Sequence, residues 1–261
     1  MNNPIVTLTT DFGTSDGYVG AMKGVILSIH ARVNVVDITH EIPPQDIMCG
    51  AMAIETASAF FPEHAVHVAV VDPGVGSERK PIGIRTESGI FVGPDNGLFT
   101  LAVRACDSVE IFQLREKRFF LNEVSSTFHG RDVFAPVGAH LAMGAPLEEM
   151  GSPLKSMVYL DIPEPAVREG CIRGSIIHID RFGNLITNIS GMHLEKAHLR
   201  EPFQVHWGEH TLEGLKTSYS SAPPGSLAAL FGSSGRLEIS RNSGRADVMG
   251  DPSLEVRISR C

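Results

Sequence analysis

Carboxylates that apolar runs deliver into glycine turns are the residues of this sequence best placed to do chemistry. In VVDPGVGSER (70–79) such a run ends on Asp72, breaks at Pro73 and Gly74, and reaches Arg79. A buried strand of this kind sets a charge at the carboxyl edge of a sheet, where open α/β folds bind their ligands. Gly74 and Gly76 let backbone N–H groups come close to a ligand. Taken alone, the turn reads more simply as a surface loop with an ion pair worth about 0–1 kcal/mol. STFHGRDVFAP (126–136) sets His129 just before a helix, with Gly130 opening space beside it. One histidine among 11 is ordinarily structural. At an element boundary, in a chain that also offers Asp72 and Arg79, it becomes a candidate acid/base group.

Asp11 ends the run IVTLTT (5–10), where an exposed carboxylate can accept two hydrogen bonds from a ribose diol or cap the next helix. Asp16, five residues on, is the better cap of the two. In FVGPDNGLFT (91–100), Asp95 and Asn96 are read as satisfying a turn, and Arg131 and Asp132 as local helix-start contacts. HIDRFGNLITNI (178–189) gathers Asp180, Phe182 and Asn184 around one tight turn. An aromatic face plus an amide can stack on and hydrogen-bond a purine, although Phe-Gly-Asn is also an ordinary hairpin turn.

The elements that must position these residues alternate. IVTLTT is a strand, Val19, Met22, Ile26 and Ile29 recur at helical spacing, VNVVDIT is a strand, and Ile47, Ala51, Ile54 and Phe61 mark a second helix. VHVAVVD, the short pair IGIRT and GIFVG, a helix from 96 to 105, VEIFQL and a helix from 131 to 143 complete the first part. The pattern predicts an α/β domain over residues 1–160, its sheet mostly parallel with helices on both faces. DIPEPAVREG, proline-rich and charged, is read as a linker over 161–171. Beyond it, short apolar or alternating runs separated by turns predict a smaller antiparallel β-barrel or sandwich domain over 172–261.

Composition narrows the chemistry. The 261 residues are 43% hydrophobic, as in a soluble globular protein, and no apolar run approaches a membrane span. With no basic, cleavable leader at the N-terminus, a cytoplasmic setting is expected. Thirty acidic against 22 basic residues argue against a general nucleic-acid binder. Cys49, Cys106, Cys171 and Cys261 form no paired motif, so neither a zinc knuckle nor a disulfide framework is expected. Phosphate-loop and dinucleotide fingerprints are absent.

Taken together, TTDFGTSDGYVGAMKG, DITHEIPPQDI, VVDPGVGSER, GPDNGLFT, STFHGRD and HIDRFGNLITNI resemble the S-adenosyl-L-methionine (SAM) hydroxide adenosyltransferases. These are adenosine-forming SAM hydrolases related to fluorinase and chlorinase, and the match runs in order along most of the chain. The resemblance implies a homotrimer of two-domain subunits with a β-barrel C-terminal domain, SAM as substrate and partner, no cofactor and no metal. It also implies that substrate lies between the N-terminal domain of one subunit and the C-terminal domain of its neighbour. By the same resemblance, Asp72, Arg79 and His129 prepare the attacking water, Asp11 holds the ribose hydroxyls, and Asp16 lies toward the methionine part. Asp180 pairs with the methionine ammonium, Phe182 and Asn184 contact adenine, Ser233 lies in the segment that meets the methionine carboxylate, and Ser243 meets the adenine amino group.

Departures from the relatives separate water from halide as nucleophile. Where the halogenases look to have tyrosine this chain has Asp72, and Gly130 stands where fluorinase has a halide-binding serine; the long fluorinase loop is missing. Ser233 and Ser234 replace a Ser-Arg pair, and the nearest arginine is Arg236. Two rival classes stay open: a metal-dependent hydrolase built on Asp11, Asp72, His129 and Asp132, without HxH or HExxH spacing, and a nucleoside-binding protein without catalysis.

Overall fold

The computed structural model describes residues 3–104 and 106–260, so Cys261 and the end of the helix expected to reach Ala105 lie outside the described residues. The chain divides at the 160/161 junction into two compact units. In the first, β1 (Ile5–Thr10), α1 (Tyr18–Ile29), β2 (Asn34–Thr39), α2 (Ile47–Ser58) and β3 (Val66–Val70) follow the expected alternation. β4 (Pro81–Thr86), β5 (Gly89–Pro94), α3 (Thr100–Arg104), β6 (Val109–Leu114), α4 (Ala135–Ala142) and β7 (Gly151–Leu154) complete it.

These strands form one seven-stranded sheet in the order β2-β1-β3-β5-β4-β6-β7. β2, β1, β3 and β5 pair in parallel, whereas β4, β6 and β7 join by antiparallel pairing. Five of the seven strands therefore run in one direction. The antiparallel side starts at β4–β5 because only Glu87 and Ser88 separate Thr86 from its partner Gly89, and so short a connection can only reverse the chain.

Helices cover both faces of the sheet. On one face Val66, Val68 and Val70 of β3 pack with Met22 and Ile26 of α1 and Val137 of α4. On the other, Ala69 and Val71 pack with Ile54 of α2 and with Phe91 and Phe99. β3 is thus buried on both sides, which accounts for its unbroken apolar reading. Helix approach on either face depends on glycine: a Cβ on Gly138 would sit 2.5 Å from Val68, and one on Gly50 would sit 2.7 Å from Leu98.

The second unit holds β8 (Ala166–Arg168), β9 (Cys171–Gly174), β10 (Ile176–Ile179), β11 (Leu185–Ser190), α5 (Gly191–Lys196), β12 (Phe203–Trp207), β13 (His210–Glu213), β14 (Leu227–Phe231), β15 (Arg236–Arg241) and β16 (Val256–Arg260). They make two antiparallel sheets, β10-β11-β15-β14 and β13-β12-β16-β9-β8. Leu185, Leu237 and Ile239 from the first sheet share a core with Ile172, Val205, Trp207 and Ile258 from the second. Among the described residues no pairing closes the two sheets into a barrel. β8 falls within the stretch read as a linker and pairs with β9, so that stretch is partly strand. Among the described residues no helix is long and apolar enough to cross a membrane.

Candidate active site

Strand order decides where the chemistry can sit. β1 lies between β2 and β3, so the chain leaves β1 toward one side and returns on the other, and the crevice at the carboxyl ends of β1 and β3 is a topological switch point. Thr10, the last residue of β1, is paired with Val70, the last of β3. Asp11 and Asp72 therefore emerge side by side, and both line a cleft of about 390 Å³ with Phe12, Tyr18, Gln45, Phe128, His129 and Gly130.

Asp72 is held by Arg79 across the glycine turn. Nε of Arg79 donates to Oδ1 of Asp72 at 2.9 Å, and Nη2 donates to Oδ2. The side chains are only 4% and 8% exposed, so this pair is no incidental surface contact. Arg79 stacks over the Phe134 ring at 5.2 Å, and its buried Nη1 finds no acceptor among the described residues. Asn96, read from the sequence as a turn residue, also steadies the strand end by donating through Nδ2 to the carbonyl of Val71 at 2.8 Å.

Arg79 also reaches His129, its Nη2 lying 2.8 Å from Nδ1 of the imidazole. A guanidinium is only ever a donor, so Nδ1 accepts and the neutral ring carries its proton on Nε2. Burial pushes the His129 pKa below the ordinary histidine value, and Arg79 pushes it the same way against the opposing pull of Asp72 and Asp132. The linkage Asp72–Arg79–His129 thus combines an acceptor carboxylate with a neutral imidazole that offers Nε2–H.

The Asp11 turn is pinned from below. Asp11 accepts from the N–H of Gln45 at 2.8 Å, Thr10 Oγ1 accepts from Phe12 N and bonds His40 Nδ1, and the His40 carbonyl accepts from Gly13 N. Gln45 takes a left-handed φ of 67°, unusual for a residue other than glycine and a conformation held by the surrounding fold. Gln45, His40 and the rings of Phe12, Tyr18 and Phe128 were not singled out from the sequence, although all fall within the quoted motifs. The three rings meet edge to face at 5.3–5.9 Å and form one wall of the cleft.

Asp16 is placed differently from its reading as a cap. It is exposed, α1 starts after Gly17, and no side chain caps that helix. The loop through Gly13 satisfies its own backbone on His40, leaving Asp16 outside the helix start. The helix expected from Arg131 also starts differently: Gly130–Phe134 form a π-helical turn before α4, with the Ala135 N–H reaching back to the Gly130 carbonyl.

In the second unit Asp180, Phe182 and Asn184 do come together on one turn. Oδ1 of Asp180 accepts from the N–H groups of Phe182 and Asn184, and Oδ2 accepts from Asn184 Nδ2, all at 2.8 Å. Asp180 therefore builds the turn while Phe182 stands 73% exposed. Ser233 is exposed between β14 and β15, and the neighbouring Ser234 has a buried Oγ without a partner among the described residues. Ser243 adopts a left-handed φ of 57° in the turn after β15.

An α/β unit with paired carboxylates at its switch point, followed by a two-sheet antiparallel unit, defines a two-domain small-molecule enzyme architecture. Comparison with known proteins makes this specific. The SAM hydroxide adenosyltransferase N-terminal domain matches residues 6–151 and the corresponding C-terminal domain matches residues 174–251. The chain belongs to the SAM hydroxide adenosyltransferase family. It is 38% identical to an (R)-S-adenosyl-L-methionine hydrolase of Salinispora tropica, over 98% of each chain. It is 50% identical to one of Methanocaldococcus jannaschii, over 71% of this chain and 66% of the relative. The crystal structure of a conserved protein from Thermotoga maritima superposes with a TM-score of 0.89 at 35% identity, covering 98% of this chain and 100% of the other.

Proposed function

We propose that this chain hydrolyses SAM to adenosine and L-methionine by attack of water on the ribose C5′ carbon. The observation that carries the reading is the Asp72–Arg79–His129 linkage, whose two ends, Asp72 and His129, line one cleft with Asp11. As the C5′–O bond forms, the C5′–S pair leaves on sulfur as the methionine thioether. The sulfonium is already an excellent leaving group, so no acid is required at that end. The difficulty is aligning the water and accepting its proton. His129 presents an N–H and cannot take a proton at Nδ1 while Arg79 donates there, so acceptance falls to Asp72, from which the proton passes to solvent. A carboxylate suffices because the newly formed protonated 5′-hydroxyl is a strong acid. Water also suits this cleft better than halide: it can donate to Asp72, whereas an anion beside that carboxylate is repelled.

Asp11 is assigned to the ribose hydroxyls. Asp16 and Asp180 are assigned to the methionine part, Phe182, Asn184 and Ser243 to adenine, and Ser233 to the carboxylate end. The reading needs no cofactor or metal, and it includes the homotrimer and barrel-type C-terminal domain implied by the family, in a cytoplasmic setting. Sedimentation equilibrium tests the trimer. The decisive experiment incubates the protein with SAM, with and without a chelator, and follows adenosine and methionine by chromatography. Equal formation of both products in the two arms supports the reading. No adenosine removes it, and loss of activity with chelator replaces it with a metal-dependent hydrolase.

A further inference from the structure

Between His129 and α4 the chain makes a π-helical turn, and the residue at its centre is a fully buried carboxylate that the proposed chemistry does not use. Pro136 has no N–H to give the carbonyl of Asp132, and the N–H of Leu121 takes that carbonyl instead, at 2.9 Å. The Asp132 side chain is 0% exposed and accepts from Ser125 N at 2.8 Å, Arg131 Nε at 2.6 Å and Arg131 Nη2 at 3.1 Å. Main chain and side chain of Asp132 thus tie two points of the 121–128 loop to the start of the helix.

Both sides of the proposed site meet that loop. On one side, the Arg131 guanidinium clamped by Asp132 lies 5.0 Å above the ring of Phe128, the residue before His129. On the other, Ser126 follows the anchored Ser125, and its carbonyl lies so near the Asp72–Arg79 turn that a Cβ on Gly76 would come within 2.5 Å of it. Gly76 takes a φ of 78°, a conformation and a clearance that suit glycine alone.

We propose that Asp132 is a positioning residue that holds the loop between His129 and the Asp72–Arg79 turn, and through that loop sets the placement and surroundings of the imidazole. The inference rests on the proposed hydrolysis, and acts through His129 rather than on substrate. The charged groups bearing on His129 are Arg79 and Asp72 from the turn after β3 and Asp132 from its own segment, with Asp11 lining the same cleft.

The test compares the full chain with Asp132→Asn and Arg131→Gln, measuring kcat and KM for SAM, thermal unfolding, and the imidazole titration of His129 by NMR. Asp132→Asn keeps the shape but loses the charge. Its kcat falls roughly 10- to 100-fold with KM little changed, as expected when reacting groups are slightly misplaced, and His129 titrates at lower pH. Arg131→Gln leaves the Asp132 charge less compensated, so His129 titrates at higher pH, a shift of opposite sign. A merely structural role lowers the melting temperature but leaves the kcat of folded protein and the titration where they were, which overturns the proposal. Should Asp132→Asn not fold, an unmoved titration in Arg131→Gln overturns it equally. If the unmodified chain forms no adenosine, the hydrolase reading fails, while the titration, which needs no turnover, still decides whether Asp132 governs His129.

Discussion

Nη2 of Arg79 lies 2.8 Å from Nδ1 of His129, and this one hydrogen bond determines which imidazole nitrogen carries the proton. The same guanidinium holds Asp72 through two bonds, so one side chain sets the orientation of both its partners. Histidine is thereby a donor toward the cleft and aspartate an acceptor, a division of labour that the residue types alone leave open.

The pH dependence follows from that bond. Protonating His129 would set a second cation against Arg79 and break the contact, so activity falls as pH drops through the lowered pKa of His129. The acid limb of kcat/KM, which reports the free enzyme, should lie below the ordinary histidine value of 6.5, leaving kcat/KM flat from there toward neutrality. A pH–rate profile from 4.5 to 8 checks this, and an acid limb at or above 6.5 contradicts it.

Asp72→Ala removes the acceptor and should lower kcat by roughly 10²- to 10⁴-fold. Arg79→Lys should also lose most turnover, because a single ammonium cannot reproduce the fork that spans Asp72 and His129. Calorimetric titration with SAM should show that binding survives in both variants. Full turnover in Asp72→Ala would sink the assigned role.

Asp11→Ala should act on affinity instead. Loss of hydrogen bonds to a charged group, about 1.5–3 kcal/mol, raises KM about 10- to 100-fold while affecting kcat less. Steady-state kinetics separates this outcome from the Asp72 result.

Stability carries its own pH signature through His67. This buried ring bonds Thr7 through Nδ1 and stacks on Phe91 at 5.0 Å, and burial pushes its pKa down to about 4. The folded state keeps it neutral while the unfolded chain protonates near 6.5, so stability present above 6.5 is lost as pH falls toward 4. The loss approaches about 3 kcal/mol at the lower end. Urea unfolding at pH 7 and pH 4.5 should show a smaller acid-induced loss in His67→Phe than in the unmodified chain.

Much of the first unit could be read from local pattern. The apolar runs ending on Asp11 and Asp72 and the helical spacing of Met22 and Ile26 reflect burial against a sheet, which leaves a period in the chain. Register and strand direction beyond β5 are less legible, because β4, β6 and β7 are short and their residues read the same whichever way they run. Asp16 is not the cap its position suggests, since a helix start depends on where the preceding loop bonds, and here that loop bonds His40. The π-helical turn before α4 carried a local sign in Pro136. Its consequence depended on Leu121, which is distant in sequence.

Residue types and their order supply the groups: carboxylates at strand ends, glycines that permit tight turns, a histidine beside Gly130, and the family to which that order belongs. Tertiary structure alone decided how those groups bear on one another. Asp72 and Arg79 lie near each other in the chain, yet the partner that makes them a catalytic candidate, His129, arrives from 50 residues away. Hydrogen-bond direction, tautomer and burial depend on distances of a few ångströms between segments that only the folded sheet brings together, and no local pattern encodes them.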